Sequence, residues 1–312
     1  MKTRLFSLIV FIFSFIAAKA QLEKIDNTDY YMSFEPVMGT LRGTSDFTTG
    51  VNPDLTLRSK GFLYGIDWVS ARWGMVDGDI LVPKVQCPIR IRSMKAGDNG
   101  LQTSDGTFFP LEAATDPEDK ATPPFNYFDM SVDLYLSPYY FKAGPAVITP
   151  KFGLGMDLAN HKYNIDLSKF QGKPGTNTAI DGKIAGSYSP YYYYSFWEDL
   201  YGINLGTYVN MGQRLMVDIS WEYYPARFMT KMIGNTINTI WDANLNSYES
   251  VSSKHRRFSV KAQYRIISRM SVFMKLENSK YQFEGTTVLG TQPFYQKYSN
   301  LMFGITLGGP KM

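Results

Sequence analysis

The chain has 312 residues, of which 44% are apolar, 15% aromatic and 19% charged, with a formal net charge of +4 and a single cysteine, Cys87. Lys2, Arg4 and Lys19 lie at the extreme N-terminus, so the rest of the chain is close to neutral. The charge of the chain is therefore no argument for nucleic-acid binding, and one cysteine excludes an intramolecular disulfide or a cysteine-based metal cluster.

The first twenty residues follow the pattern of an export signal. Lys2 and Arg4 form a basic start, Leu5 to Ala18 is an almost unbroken apolar run, and Ala18-Lys19-Ala20 is a small-x-small cleavage site. Residues 1–20 are expected to be removed, leaving 21–312 as one domain. The competing reading, a membrane anchor, needs a longer apolar run. After Ala20 no stretch approaches the roughly 18 apolar residues of a spanning helix.

Beyond the signal, ten segments alternate with a period of two, the mark of strands with one apolar and one polar face. The first, Tyr30 to Leu41, puts Met32, Phe34 and Met38 opposite Glu35, with Pro36 on its apolar side. The second sets Phe62, Tyr64, Ile66 and Trp68 against Asp67. The third, Ile80 to Arg92, has Leu81, Val85, Cys87, Ile89 and Ile91 against Lys84, Gln86, Arg90 and Arg92, and contains Pro83 and Pro88, residues that weaken a strand assignment. The fourth places Phe128, Met130, Val132, Leu134 and Leu136 opposite Asp129, Ser131 and Asp133. The fifth places Phe152, Leu154, Met156 and Leu158 opposite Lys151, Gly153, Gly155 and Asp157.

The sixth and seventh form the clearest hairpin. Tyr201, Ile203, Leu205 and Val209 precede the turn Asn210-Met211-Gly212-Gln213, and Leu215, Val217, Ile219, Trp221 and Tyr223 follow it, with Asp218, Glu222 and Tyr224 on the polar face. The eighth has Phe258, Val260, Ala262, Tyr264 and Ile266 against Arg257, Ser259, Lys261, Gln263 and Arg265. The ninth has Val272, Met274 and Leu276 against Lys275 and Glu277. The tenth has Leu301, Phe303, Ile305 and Leu307 against Met302 and Thr306.

Connections alternate short and long. The long ones are expected at Arg42 to Lys60, Ala96 to Pro124, Lys169 to Ser189, Lys231 to Ser253 and Gly285 to Lys297, and they are rich in Gly, Asn, Thr, Ser and Asp. This predicts an all-β, antiparallel, up-and-down transmembrane barrel of about ten strands, within roughly eight to twelve, with tight periplasmic turns and long extracellular loops. Its inner face would carry Lys84, Arg90, Arg92, Lys151, Arg257, Lys261, Arg265 and Lys275 against Glu35, Asp67, Asp129, Asp133, Asp157, Asp218, Glu222 and Glu277. Equal numbers point to paired charges filling a narrow interior rather than to an ion-selective pore. Asp218 and Glu222 are expected to meet Lys261 and Arg265 across neighbouring strands.

Several local features invite chemistry. Tyr191, Tyr192, Tyr193 and Tyr194, with Phe196 and Trp197, form an external aromatic patch, read either as an interfacial girdle or as a partner or glycan platform. Lys254-His255-Arg256-Arg257 is a basic run at an outer edge, facing either solvent or anionic headgroups. The acidic residues between Thr103 and Pro124 lack a calcium-loop spacing, and Ile233 to Leu245, including Trp241, suits a short helix or lid. The two histidines are His161 and His255; Asp157 beside His161 is the one acid–base pair the spacing allows at the rim. No cofactor motif or metal-ligand cluster is evident.

The chain resembles the small outer-membrane β-barrel proteins of Gram-negative bacteria, and its Ala-Lys-Ala-Gln processing site and tyrosine-rich strands are similar to those of the Bacteroidota. Length and strand number also resemble the omptin proteases. Their Asp-x-His pair, however, is missing: Ala159 and Ser253 stand two residues before the histidines. The chain also lacks the terminal aromatic residue usual in such barrels and ends Gly308-Gly309-Pro310-Lys311-Met312. The expectation is a non-enzymatic integral outer-membrane barrel, without cofactor, in contact with outer-membrane lipid and with another envelope protein through its loops. The alternatives are a small channel for polar solutes and a rim-located hydrolase.

Overall fold

The computed structural model describes residues 21–25, 29–47, 55–77, 80–102, 108–111, 125–166, 191–212, 214–227, 250–267, 269–287 and 290–308. Residues 1–20, the predicted signal, lie outside these. So do 167–190 and 228–249, and with them the predicted lid.

The strands in chain order are β1 (Gln21–Lys24), β2 (Asp29–Phe47), β3 (Leu55–Asp77), β4 (Ile80–Gln102), β5 (Phe108–Leu111), β6 (Phe125–Leu136), β7 (Tyr139–Ala143), β8 (Ala146–Asp166), β9 (Tyr191–Met211), β10 (Leu215–Arg227), β11 (Ser250–Ile267), β12 (Met270–Thr287) and β13 (Gly290–Gly308). Ten of them pair antiparallel around a ring in the order β2, β3, β4, β6, β8, β9, β10, β11, β12, β13, and β13 closes onto β2. The fold is a closed, antiparallel, ten-stranded β-barrel. Closure removes the open edge that would otherwise template aggregation.

Alternation decides which way each side chain points. Met38 is 60% exposed and Leu154 65% exposed on the outer wall, while Glu35, Asp133 and Asp157 are buried inside. Among the described residues, 26 buried side chains are polar or charged and 13 are apolar. A water-soluble protein has the opposite distribution, and a continuous exposed band of Leu, Ile, Phe and Met would not stay monomeric in water.

Three elements differ from the sequence reading. The strands run on past the apolar band, pairing Arg42 with Lys60 and continuing to Phe47 with Leu55. The expected long loop from Gly285 to Lys297 is instead ladder, paired through Thr287 and Gly290. Where both faces are polar, no apolar period marks the strand, yet the backbone bonds are the same.

Prolines supply the second difference. Pro83 and Pro88 do not end β4; the register between β3 and β4 shifts beside each of them, at Trp73/Gly74 and Val69/Ala71. A bulge lets a residue without an N–H sit in a ladder. Within the first bulge, the Lys84 carbonyl accepts a hydrogen bond from the Ser137 amide at 2.7 Å.

The third is a small extra sheet at the tight-turn end. β1 pairs with β7, which turns at Gly144 (φ 60°) onto the start of β8. The Ile25 amide donates to the Pro138 carbonyl at 3.1 Å, and Ile25 packs with Val82, Tyr140 and Val147 into a buried apolar cluster. The N-terminal strand thus packs at the tight-turn end of the barrel. Ile25→Ala should loosen this packing by about 2–4 kcal/mol. Hydrogen exchange should then quicken in 21–25 and 139–143 and stay unchanged in the ten barrel strands.

Candidate functional site

The middle of the lumen is filled by ion pairs that cross it. Arg90, on β4, donates to Asp133 and Glu222 at 2.8 Å each and to Ser131 at 2.6 Å. Arg92, two residues on and on the same face, reaches Asp67 at 2.7 Å and Glu277 at 2.8 Å. Arg257, on β11, binds Asp129 and Asp157 at 2.9 Å and Glu222 at 3.0 Å. Lys275 joins the second cluster, 3.3 Å from Glu277 and 3.5 Å from Asp67. β4 and β10, β4 and β12, and β6 and β11 each stand four places apart in the ten-strand ring. These contacts therefore tie opposite walls together.

Neutral groups complete the lattice. Asn204 and Tyr224 donate to Asp133 at 2.7 and 2.9 Å, and Tyr135 donates to Glu222 at 3.1 Å. Gly155 faces this point, and a Cβ there would overlap the Asp133 carboxylate and the Asn204 amide. Arginine suits the role because its planar fork serves two carboxylates at once and keeps its charge.

Towards the tight-turn end the pairs are lysine-based. Lys151 contacts Asp218 at 2.6 Å, with its ammonium 4.4 Å from the Tyr135 ring centre and 4.2 Å from that of Tyr208. Lys261 contacts Glu35 at 2.6 Å and lies over Phe273. A polar cavity of about 70 Å³ remains among Glu35, Asp67, Lys151 and Tyr208. Towards the far end, the buried His255 ring stacks between Tyr224 and Tyr281, at centroid distances of 5.4 and 3.7 Å. Its Nδ1 lies 2.7 Å from Asp157, close but without hydrogen-bond alignment.

The predicted inner-face residues therefore have distinct fates. Arg90, Arg92, Asp129, Asp133, Glu222 and Arg257 share the central lattice. Asp218 and Lys261 are opposed in backbone register, but each side chain turns to another strand: Asp218 to Lys151 and Lys261 to Glu35. Glu222 meets Arg90 and Arg257 rather than Arg265. Arg265 lies at the tight-turn end opposite Ser271, and Lys84 sits in the β4 bulge. The described ion pairs involve all eight expected carboxylates and six of the expected cations, Arg90, Arg92, Lys151, Arg257, Lys261 and Lys275.

Sequence reasoning missed His255 as an interior residue. It shares the parity of Arg257 along β11, which is the signal that places it inside. The partners of Asp157 described here are His255, Arg257 and Tyr281; His161 stands in β8 in register with Tyr127 and Phe196. The aromatic run lies at the far end of β9, with Tyr191 opposite Asp166, Tyr194 opposite Tyr163 and Trp197 opposite Asn160. The acidic stretch 112–120 lies outside the described residues, and among those described no group of His, Cys, Asp and Glu is arranged to hold a metal ion.

No protein-family model and no curated protein matches the chain. Among solved structures it is similar to the outer membrane protease OmpT from Escherichia coli, at 10% identity over 91% of this chain and 97% of that one, with a TM-score of 0.43. It is also similar to Neisserial surface protein A, at 9% identity over 92% and 100%, with a TM-score of 0.31. A third is the attachment invasion locus protein Ail of Yersinia pestis, at 8% identity over 89% and 99%, with a TM-score of 0.24. These neighbours are outer-membrane β-barrel proteins.

Proposed function

We propose that this barrel spans an outer membrane with a sealed lumen and serves there as a non-enzymatic structural or accessory subunit. Its far-end hairpins would meet another envelope protein. The observation that carries this reading is the lattice of Arg90, Arg92 and Arg257 tying opposite walls together above the Ile25 cluster. An ion pathway needs continuous water and binding weak enough to release each ion. Here the cations are engaged by fixed carboxylates, and the cavity of about 70 Å³ has room for only a few waters.

The apolar outer wall supports the membrane placement, since all backbone groups of a closed barrel are satisfied within it. The aromatic-rich far end of β9 has the composition of partner-binding surfaces. The acid–base reading gains no support, because Asp157 is buried and held by Arg257 and His255.

Two measurements test the proposal. The purified barrel in a planar bilayer is expected to give no steady single-channel steps; regular steps would overturn the sealed lumen. Mild extraction from native membranes is expected to bring a second envelope protein with it, and a barrel that always runs alone would overturn the accessory role.

A further inference from the structure

The outer wall of β11, β12, β13 and β2 carries a feature that neither the lumen nor the hairpins use. Arg256, Lys280 and Lys297 stand directly opposite one another on three successive strands. Arg42 lies on the next strand, opposite Ser299 and so one row nearer the tight-turn end. All four side chains are exposed on the outside of the barrel. Strands lie about 4.8 Å apart, so the first three cations span roughly 10 Å along one line across the strands.

The row sits at a boundary. Immediately towards the tight-turn end come Phe258 and Trp221, and beyond them the apolar rows Val260, Leu276 and Leu301, then Ala262, Met274, Phe303 and Met38. Two residues further towards the far end, the ladder pairs Lys254 with Gln282 and Gln282 with Tyr295. A concavity of about 460 Å³ opens at the row, bordered by Arg42, Arg256, Lys280 and Lys297 with Trp221 and Phe258 at its apolar margin. The guanidinium of Arg256 lies over the Tyr223 ring at 5.2 Å, which fixes its direction.

An arc of cations with aromatic side chains on the apolar side matches an amphiphile that has anionic groups at the head and chains running down the wall. Guanidinium and ammonium groups favour phosphate in particular.

We infer that this arc binds a phosphorylated glycolipid headgroup of the outer leaflet. Its phosphates lie across Arg256, Lys280, Lys297 and Arg42, and its acyl chains lie over Phe258, Leu276 and Leu301. The inference rests on the membrane placement proposed above and adds a specific lipid site to it.

The test uses the full barrel, purified and delipidated, with diphosphoryl lipid A as the probe and native mass spectrometry as the readout. The comparison variant is Arg42→Gln/Arg256→Gln/Lys280→Gln/Lys297→Gln. Each cation near an anionic surface contributes a factor of about five, so the variant, which lacks four of them, should bind roughly six-hundredfold more weakly. Lipid A stripped of both phosphates should bind the wild type as poorly. Arg42→Lys/Arg256→Lys should retain most of the binding, which separates charge from packing.

Equal binding by wild type and variant would overturn the inference, as would equal binding of the dephosphorylated lipid, which would signal acyl contact alone. Displacement of the lipid by equimolar inorganic phosphate would overturn it too, since the site would then hold an ion rather than a headgroup. Insertion into liposomes is scored separately by the heat-dependent shift in gel mobility. Failure of the wild type to insert would count against the membrane placement itself, whereas insertion without lipid preference would sink only the lipid site. If the fourfold variant fails to insert, Arg256→Gln and Lys280→Gln are measured singly. About fivefold weakening is expected of each, and unchanged binding would overturn the site.

Discussion

Arg257→Met is expected to be the most damaging single substitution in the barrel. The methionine fills much of the same space, so the loss is electrostatic. Arg257 is buried and lies within 3.0 Å of three carboxylates, those of Asp129, Asp157 and Glu222. Removing one partner of a buried ion pair typically costs about 3–5 kcal/mol, because the other charge is left uncompensated in a poorly polarisable interior. The three acids do not suffer equally. Glu222 keeps Arg90, whereas Asp157 keeps only the Tyr281 hydroxyl and the His255 ring, whose Nδ1 is close without hydrogen-bond alignment. Asp129 has no second cation among the described pairs, and its Oδ1 already has no hydrogen-bond partner.

The double variant Arg257→Met/Asp129→Asn should therefore recover part of the loss, since replacing both sides of a buried pair is far milder than breaking it, while Asp157 stays without its cation. Urea unfolding in detergent, followed by the gel-mobility shift of the folded barrel, measures both effects. A loss below about 1 kcal/mol for Arg257→Met would place the lattice in water rather than in a sealed interior.

Much of this architecture is legible in the chain. A residue such as Leu154 or Met38 announces the outer wall, because lipid demands an apolar side chain at every second position and little else in the environment varies. Asp133, Glu222 and Arg257 announce the inner wall for the same reason. The signal fades where the demand does. Arg42 to Phe47 and Leu55 to Lys60 form ladder but carry few apolar residues, so no sustained period marks them. Gln21–Lys24 pairs with β7 over only four residues, too few to show a period.

The lattice was legible in its members and not in its connections. Lys261 faces Asp218 in register yet donates to Glu35, which is 226 residues away in sequence. A long side chain in a narrow barrel reaches the opposite wall as readily as its neighbour, and only ring closure brings β2 near β11. His255 illustrates the converse. Its parity with Arg257 places it inside, but its position in a run with Lys254 and Arg256 makes all four residues look like one basic edge. The strand divides the run, sending Arg256 outward and His255 and Arg257 inward.

The variant Arg90→Ser/Arg92→Ser/Glu222→Ser/Glu277→Ser is expected to turn the closed barrel into a conducting one. It removes two cations and two anions, so the interior keeps its charge balance. It also removes both ties that run from β4 to the opposite wall, one to Glu222 on β10 and one to Glu277 on β12. Asp67 retains Lys275, and Arg257 retains Asp129 and Asp157, whereas Asp133 loses Arg90 and keeps the hydrogen bonds of Asn204 and Tyr224. Four long side chains become hydroxyls, two of them, at positions 90 and 222, lining the existing cavity of about 70 Å³, and serine-lined space of that size fills with water. Planar-bilayer recordings should show steady steps where the wild type shows none, with folding confirmed by the mobility shift. If the folded variant stays silent, the barrier lies instead at the cluster of Ile25, Val82, Tyr140 and Val147, and adding Ile25→Ala to the four serines should then release it. That sequence of variants separates a lumen closed by charge from one closed by the N-terminal strand, because each barrier is lifted without disturbing the outer wall that holds the barrel in lipid.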